Sequence, residues 1–143
     1  MKIVIGNDHA GFEMKEFLKK WLTNEGHEII DAGCADDAPC DYPEFAQKVA
    51  HKVIDEKILG ILICGTGIGM SIAANRIKGA RCALCISEKM AMLARQHNDA
   101  NIVAIGGQNM AKVPAQKVIA KFLSTEFSGE QRHIRRNAKV DEF

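Results

Sequence analysis

The sequence predicts an α/β fold, a three-layer sandwich in which helices cover both faces of a five-stranded parallel sheet. Two observations carry this expectation. Short apolar runs rich in isoleucine and valine alternate with segments whose apolar residues recur at helical spacing. The middle run, Ile61-Leu62-Ile63, passes through a glycine-rich loop directly into a helical segment, the layout of a parallel βα unit.

Ile3-Val4-Ile5-Gly6 reads as the first strand and ends in Asn7-Asp8-His9. Ala10-Gly11 then turns into a helix with Met14, Phe17, Leu18, Trp21 and Leu22 on one face, stopped by Asn24-Glu25-Gly26. Glu28 to Asp31 is the second strand, followed by a polar loop from Gly33 to Asp41 that holds Cys34 and Cys40. Asp41 or Tyr42 precedes the next helix, with Pro43 in its first turn and Phe45, Val49, Val53 and Ile54 on its face. The third strand stops at Cys64, and Met70 to Ala74 read as the first turns of a helix. Ala80 to Ile86 is the fourth strand, and Ser87 is placed to N-cap a helix running to about His97. Asn101 to Ile105 is the fifth strand, closed by Gly106-Gly107. A last long helix covers about Val113 to Leu123, and from Ser128 the chain reads as a polar tail. The sheet is therefore expected to be Rossmann-like, in a single domain spanning residues 1–143.

Composition narrows the function classes. Apolar content is 47% and charged content 26%, ordinary for a soluble globular chain. A net charge of +1 argues against a general nucleic-acid or membrane surface. The chain opens on a strand with no signal-peptide pattern, and no apolar run approaches the roughly 20 residues of a membrane span. The cysteines are odd in number, five, and lie mostly in apolar runs, which predicts reduced thiols in a cytoplasmic protein, Cys34 and Cys40 included.

Gly65-Thr66-Gly67-Ile68-Gly69 is the stretch richest in chemistry. Between a strand and a helix, such a loop turns backbone N–H groups toward an anion. Thiols at that position ionise more readily than free ones, so Cys64 stands as a base or nucleophile beside an anion cradle. A Walker loop is excluded, because no lysine follows the last glycine. A dinucleotide fingerprint needs G-x-G-x-x-G, one residue longer, although Glu88 supplies an acid at about the required 20 residues. A glycine turn that only packs a helix on a sheet also stays open.

In parallel sheets the strand ends share one edge. Asp8-His9, Tyr42, Cys64 to Gly69 and Gly106-Gly107-Gln108 all follow strands. A lone histidine after a strand is usually a cap; one sharing an edge with Cys64 points to function. Arg132, Arg135 and Arg136 read as a solvated basic tail or, if the segment is helical, as a pair at i and i+4 suited to a phosphate. His97 ends a helix, where the dipole alone gives a reason for it. Cys82 and Cys85 match C-x-x-C, but in a strand they point to opposite faces and can only pack. No metal-binding motif is present, and neither metal nor cofactor is expected.

Taken together, Asn7 to Gly11, Asp41-Tyr42-Pro43, Ile63 to Ser71, Arg95 to Asp99 and the Arg132/Arg136 pair resemble the ribose-5-phosphate isomerase B family, within the ribose/galactose isomerases. The resemblance covers essentially the whole chain. It implies a metal-free and cofactor-free aldose–ketose isomerase acting on a sugar phosphate, with active sites between two subunits of a homodimer or tetramer. It implies Cys64 as the base moving a proton between C2 and C1, and the amides from Gly65 through Gly67 and Ile68 to Gly69 as enediolate donors. It further implies His97 in ring opening with Thr66 nearby, and Asn98 and Asp8 on sugar hydroxyls. His9, Arg132 and Arg136 would hold the phosphate, Tyr42 would flank the sugar, and His97 and Asn98 would come from the partner. The chain departs from the family in two places. Ser71 and Ile72 stand where some members carry a glutamate base, which puts it with the cysteine users. Gln108 lies at the substrate where many members have an arginine, so one cation is missing or Arg135 replaces it. A six-carbon substrate such as allose or galactose 6-phosphate, and a non-catalytic nucleotide-binding module, are the alternatives.

Overall fold

The structure is a computed structural model that describes residues 1–143. Its elements are β1 (Lys2–Asn7), a 3-10 turn (His9–Gly11), α1 (Phe12–Asn24), β2 (Glu28–Asp31), α2 (Tyr42–Glu56) and β3 (Leu59–Cys64). These are followed by α3 (Ile68–Ala74), β4 (Cys82–Leu84), α4 (Glu88–Asn98), β5 (Ile102–Gly106), α5 (Lys112–Ser124) and α6 (Gln131–Val140). All strand pairs are parallel, in the order β2-β1-β3-β5-β4.

The strands are apolar without interruption because both faces are covered. Ile3, Ile5, Ile61, Ile63, Val103 and Ile105 face α1, α4 and α5, whereas Val4, Leu62, Ile102 and Ala104 face α2 and α3. The alternation is the period-two geometry of a strand. It also places Cys82 with the second set and Cys85 with the first, so the C-x-x-C pair packs on opposite faces as the spacing predicts. Burial pushes the Cys82 thiol up to about 12 and the Cys85 thiol up to about 11, values at which neither is a nucleophile near neutral pH.

Three expectations need correction. The fourth strand is shorter than Ala80 to Ile86, because it is an edge strand and pairs with β5 only over Cys82–Leu84. The polar tail after Ser128 contains a ten-residue helix, α6, whose buried residues are His133 and Asn137. It lacks the apolar stripe that reveals a helix in sequence. Cys34 and Cys40, expected as reduced thiols, are joined as a disulfide across the loop after β2, with their Cα atoms 7.5 Å apart. Composition describes the average cysteine, and only the path of this loop turns these two toward each other.

The sheet order fixes where a ligand crevice forms. The chain leaves β1 for β2 on one side and returns with β3 on the other. The carboxyl ends of β1 and β3 therefore flank a topological switch point, where open α/β sheets hold their ligands.

Candidate active site

Cys64 is the last residue of β3 and only 5% exposed. The Gly67 N–H donates to its Sγ at 3.2 Å. This contact needs Gly67 in a left-handed conformation, φ +81°, which turns the chain from strand to helix within three residues. The Ile68 N–H donates to Thr66 Oγ1 at 3.3 Å. Two of the five amides expected to meet an oxyanion are thus donated within the loop, one of them to the thiol itself.

Neighbouring strand ends converge on this loop. The Asp8 N–H donates to the Ile63 carbonyl at 3.1 Å, stitching the end of β1 to β3. Asp8 is 6% exposed, and its Oδ1 accepts from the Gly11 N–H at 3.1 Å, capping the 3-10 turn. The Cys40 N–H donates to His9 Nδ1 at 3.3 Å, so the disulfide loop rests on His9. Tyr42 begins α2 and lays its ring over Gly69, where an added Cβ would stand 2.8 Å from Cζ. From β5, the Gly107 N–H donates to the Cys64 carbonyl at 2.7 Å and the Gln108 N–H to that of Gly65 at 3.0 Å. The Gln108 side chain then lies over Gly65. Asp8, His9, Tyr42, Cys64, Gly65, Thr66, Gly67, Ile68, Gly69 and Gln108 therefore share one edge of the sheet.

The remaining candidates lie on the other edge. α4 leaves the carboxyl end of β4 and runs back to the start of β5. Its last residue, Asn98, offers its carbonyl to Arg81 Nε at 3.1 Å, just before β4 begins. Cys82 pairs with Ile102 and Cys64 with Gly106, so the two edges are separated by four residue steps of β5, about 13 Å at the usual strand rise. His97 and Asn98 therefore cannot join the Cys64 of their own chain. α6 belongs to their cluster: Asn137 Nδ2 donates to the His97 carbonyl at 3.1 Å, and the His97 and His133 rings stack with centroids 4.2 Å apart and planes 14° apart. Arg132 and Arg136 are exposed on this helix, Arg132 with its Nε on Glu130 at 2.8 Å. Burial first, then the neighbouring His97 and Arg132, lower the pKa of His133 below the usual imidazole value of 6.5. A cavity of about 380 Å³ also lies on this edge, between Arg81, Asn98, Asn137, Asp141 and Phe143, away from Cys64.

Reading by sequence position did not single out His133 and Asn137. The available signal was their spacing of four, parallel to that of Arg132 and Arg136. The chemistry of the first edge is plain. A buried thiol beside oriented amides can take a proton next to a carbonyl while donors meet the oxygen that becomes negative.

Known proteins share this fold and much of this sequence. Ribose-5-phosphate isomerase B of Mycobacterium tuberculosis is 43% identical over 138 residues, covering 95% of this chain and 85% of that one. The structure of Clostridium thermocellum ribose-5-phosphate isomerase B superposes with a TM-score of 0.97 at 43% identity, over 99% of this chain and 96% of that one. A ribose 5-phosphate isomerase of Thermotoga maritima gives 0.96 at 46% identity, over 99% and 98%. The family profile described as Ribose/Galactose Isomerase matches residues 3–140, so the chain belongs to the ribose/galactose isomerase family.

Proposed function

We propose that this enzyme interconverts ribose 5-phosphate and ribulose 5-phosphate through an enediolate, with Cys64 as the base. The observation that carries the reading is the placement of the Cys64 sulfur, at the end of β3 and facing the glycine loop, on the same edge as Asp8, His9 and Tyr42. Cys64 takes the proton from C2 and returns it to C1, and the remaining loop amides meet the oxygens that gain charge. Asp8 binds sugar hydroxyls, Tyr42 flanks the sugar, and His9 binds the phosphate together with Arg132 and Arg136. His97 opens the furanose with Thr66 nearby, and Asn98 holds a hydroxyl.

These roles require a second copy of the chain. His97, Asn98, Arg132 and Arg136 lie on the far edge of their own sheet, so a homodimer or larger assembly brings them to the partner's Cys64. The exposed apolar side chains Ile68, Ile72, Ile86 and Met90, which follow β3 and β4 on the Cys64 edge, support such a contact. No helix is long and apolar enough to cross a membrane. A six-carbon sugar phosphate is the second reading. It is favoured by the neutral Gln108 over Gly65, where many family members carry an arginine.

The test is the initial rate of ribulose 5-phosphate formation from ribose 5-phosphate with EDTA present. Turnover of about 1–10³ s⁻¹ supports the proposal. Turnover of allose 6-phosphate alone assigns the six-carbon reading, and turnover of neither sugar removes both.

A further inference from the structure

The sequence gives α6 no apolar stripe, yet the helix docks. A helix held only for stability buries an apolar face. Here Ile134 stays 43% exposed, whereas His133 and Asn137, one turn apart, are 5% and 8% exposed. Both meet His97, through the ring stack and the bond to its carbonyl. The far end of the helix is clamped by Arg81 Nη1, which donates to Asp141 Oδ2 at 3.0 Å while Arg81 Nε holds the Asn98 carbonyl. The ring nitrogens of His97 take part in no hydrogen bond within the chain, and the ring is held against His133 by the stack. Arg132 and Arg136 form the adjacent stripe of the same helix, about 100° around it.

We propose that His133 and Asn137 are positioning residues that hold the His97 imidazole in the orientation used for opening the furanose ring. α6 then delivers two functions to one sugar, phosphate-binding arginines on one stripe and an oriented His97 on the next. The role rests on the sugar-phosphate reading above. In the opening step His97 passes a proton to the ring oxygen O4 as the C1–O4 bond breaks. The C1 hydroxyl releases a proton, becomes the aldehyde oxygen, and that proton restores His97. His133 is suited to a supporting role because burial and the adjacent His97 favour its uncharged form, so it covers the ring without competing as a proton donor.

The chemistry supplies a readout that a merely structural role would not move. A ketopentose 5-phosphate cannot close to a furanose, because its C5 oxygen carries the phosphate. It enters the site open and needs no ring opening. The purified assembly is assayed as wild type, His133→Ala, His133→Phe and Asn137→Ala, both for net isomerisation and for deuterium exchange from D2O into C1 of ribulose 5-phosphate, which needs the enediolate but no ring opening. For H133A, kcat/KM for isomerisation should fall about 10- to 100-fold, the usual result of a misplaced catalytic group and by the same factor from either sugar because the equilibrium constant is fixed, while the C1 exchange stays within about two-fold. Phenylalanine preserves the stacked face and should restore most of the loss. In parallel, NMR of the His97 ring protons should show an upfield ring-current displacement in wild type and H133F that is lost in H133A.

Equal losses of isomerisation and C1 exchange, an undiminished H133A, or absence of the ring-current displacement in wild type overturns the positioning role. Should H133A fail to fold, N137A decides, with the same loss of isomerisation and retained exchange expected. A wild type that shows the stack but turns over neither sugar overturns the isomerase reading and this role with it, whereas an active wild type whose variants lose isomerisation and exchange equally overturns the role alone.

Discussion

A single thiol distinguishes itself among the three free cysteines by where its strand ends. Cys82 starts β4 and Cys85 follows it, and burial holds both protonated. Cys64 is the last residue of β3, at the edge of the sheet, where a backbone N–H reaches the sulfur. Replacing it by alanine should lower kcat about 10²- to 10⁴-fold, the usual contribution of a positioned acid–base group, with the thermal midpoint little changed. Kinetics and calorimetry on the same preparation check both parts. Gly67→Ala should do the reverse and act first on stability. Its φ of +81° is unfavourable for any side chain, and the new Cβ would stand 2.6 Å from Leu84 Cδ1 and 2.8 Å from the Ile105 carbonyl carbon. A loss of about 1–3 kcal/mol is expected in denaturant titration. Cys64 and the glycines were legible from sequence because their types and spacing carry the chemistry. The Cys34–Cys40 pairing was not, because it depends on the path of an irregular loop.

At the scale of elements, two polar attachments hold the loop after β2 and helix α6 in place. The first is Lys15, 1% exposed on α1, whose Nζ donates to Asp31 Oδ2 at 3.0 Å and to the Cys34 carbonyl at 2.8 Å. It ties β2 to the loop that rests on His9. Burial alone would raise the Asp31 pKa, but hydrogen bonds from Lys19 and Lys15 outweigh it and hold the carboxyl below its usual 3.8. The second attachment is α6 on the end of α4, and its stability depends on pH. His133 has a folded pKa below its ordinary 6.5, so below that pH the unfolded chain binds more protons than the folded one. The His133 share of stability is therefore complete above 6.5 and is lost as the pH falls toward the folded value. The thermal midpoint should drop between about pH 7 and pH 5, and His133→Phe should flatten that drop, because its ring does not titrate. A rise in the midpoint on acidification of the wild type would contradict the assignment.

For the whole molecule, the decisive fact is that the candidate residues occupy opposite edges of one sheet. If sites form between copies, two inactive variants can complement each other. Cys64→Ala and His97→Ala chains, mixed after denaturation and refolded together, should regain about a quarter of the wild-type rate on ribose 5-phosphate. Random pairing makes half the dimers mixed, and each mixed dimer carries one intact site of two. Activity no higher than that of the separate variants would place both residues in one chain's site. The sequence by itself determined the α/β class, the run of the strands, the thiol at the end of β3 and the residues worth testing. Local periodicity and side-chain chemistry are properties of short stretches, and those stretches are apolar on both faces or rich in glycine. Only the tertiary structure decided that α6 is a helix, that His133 stacks on His97, that Cys34 meets Cys40, and that His97 lies about 13 Å of strand away from its own Cys64 edge. Each of these depends on which surface lies opposite a residue, and that is set by strand order and chain path rather than by neighbours in sequence.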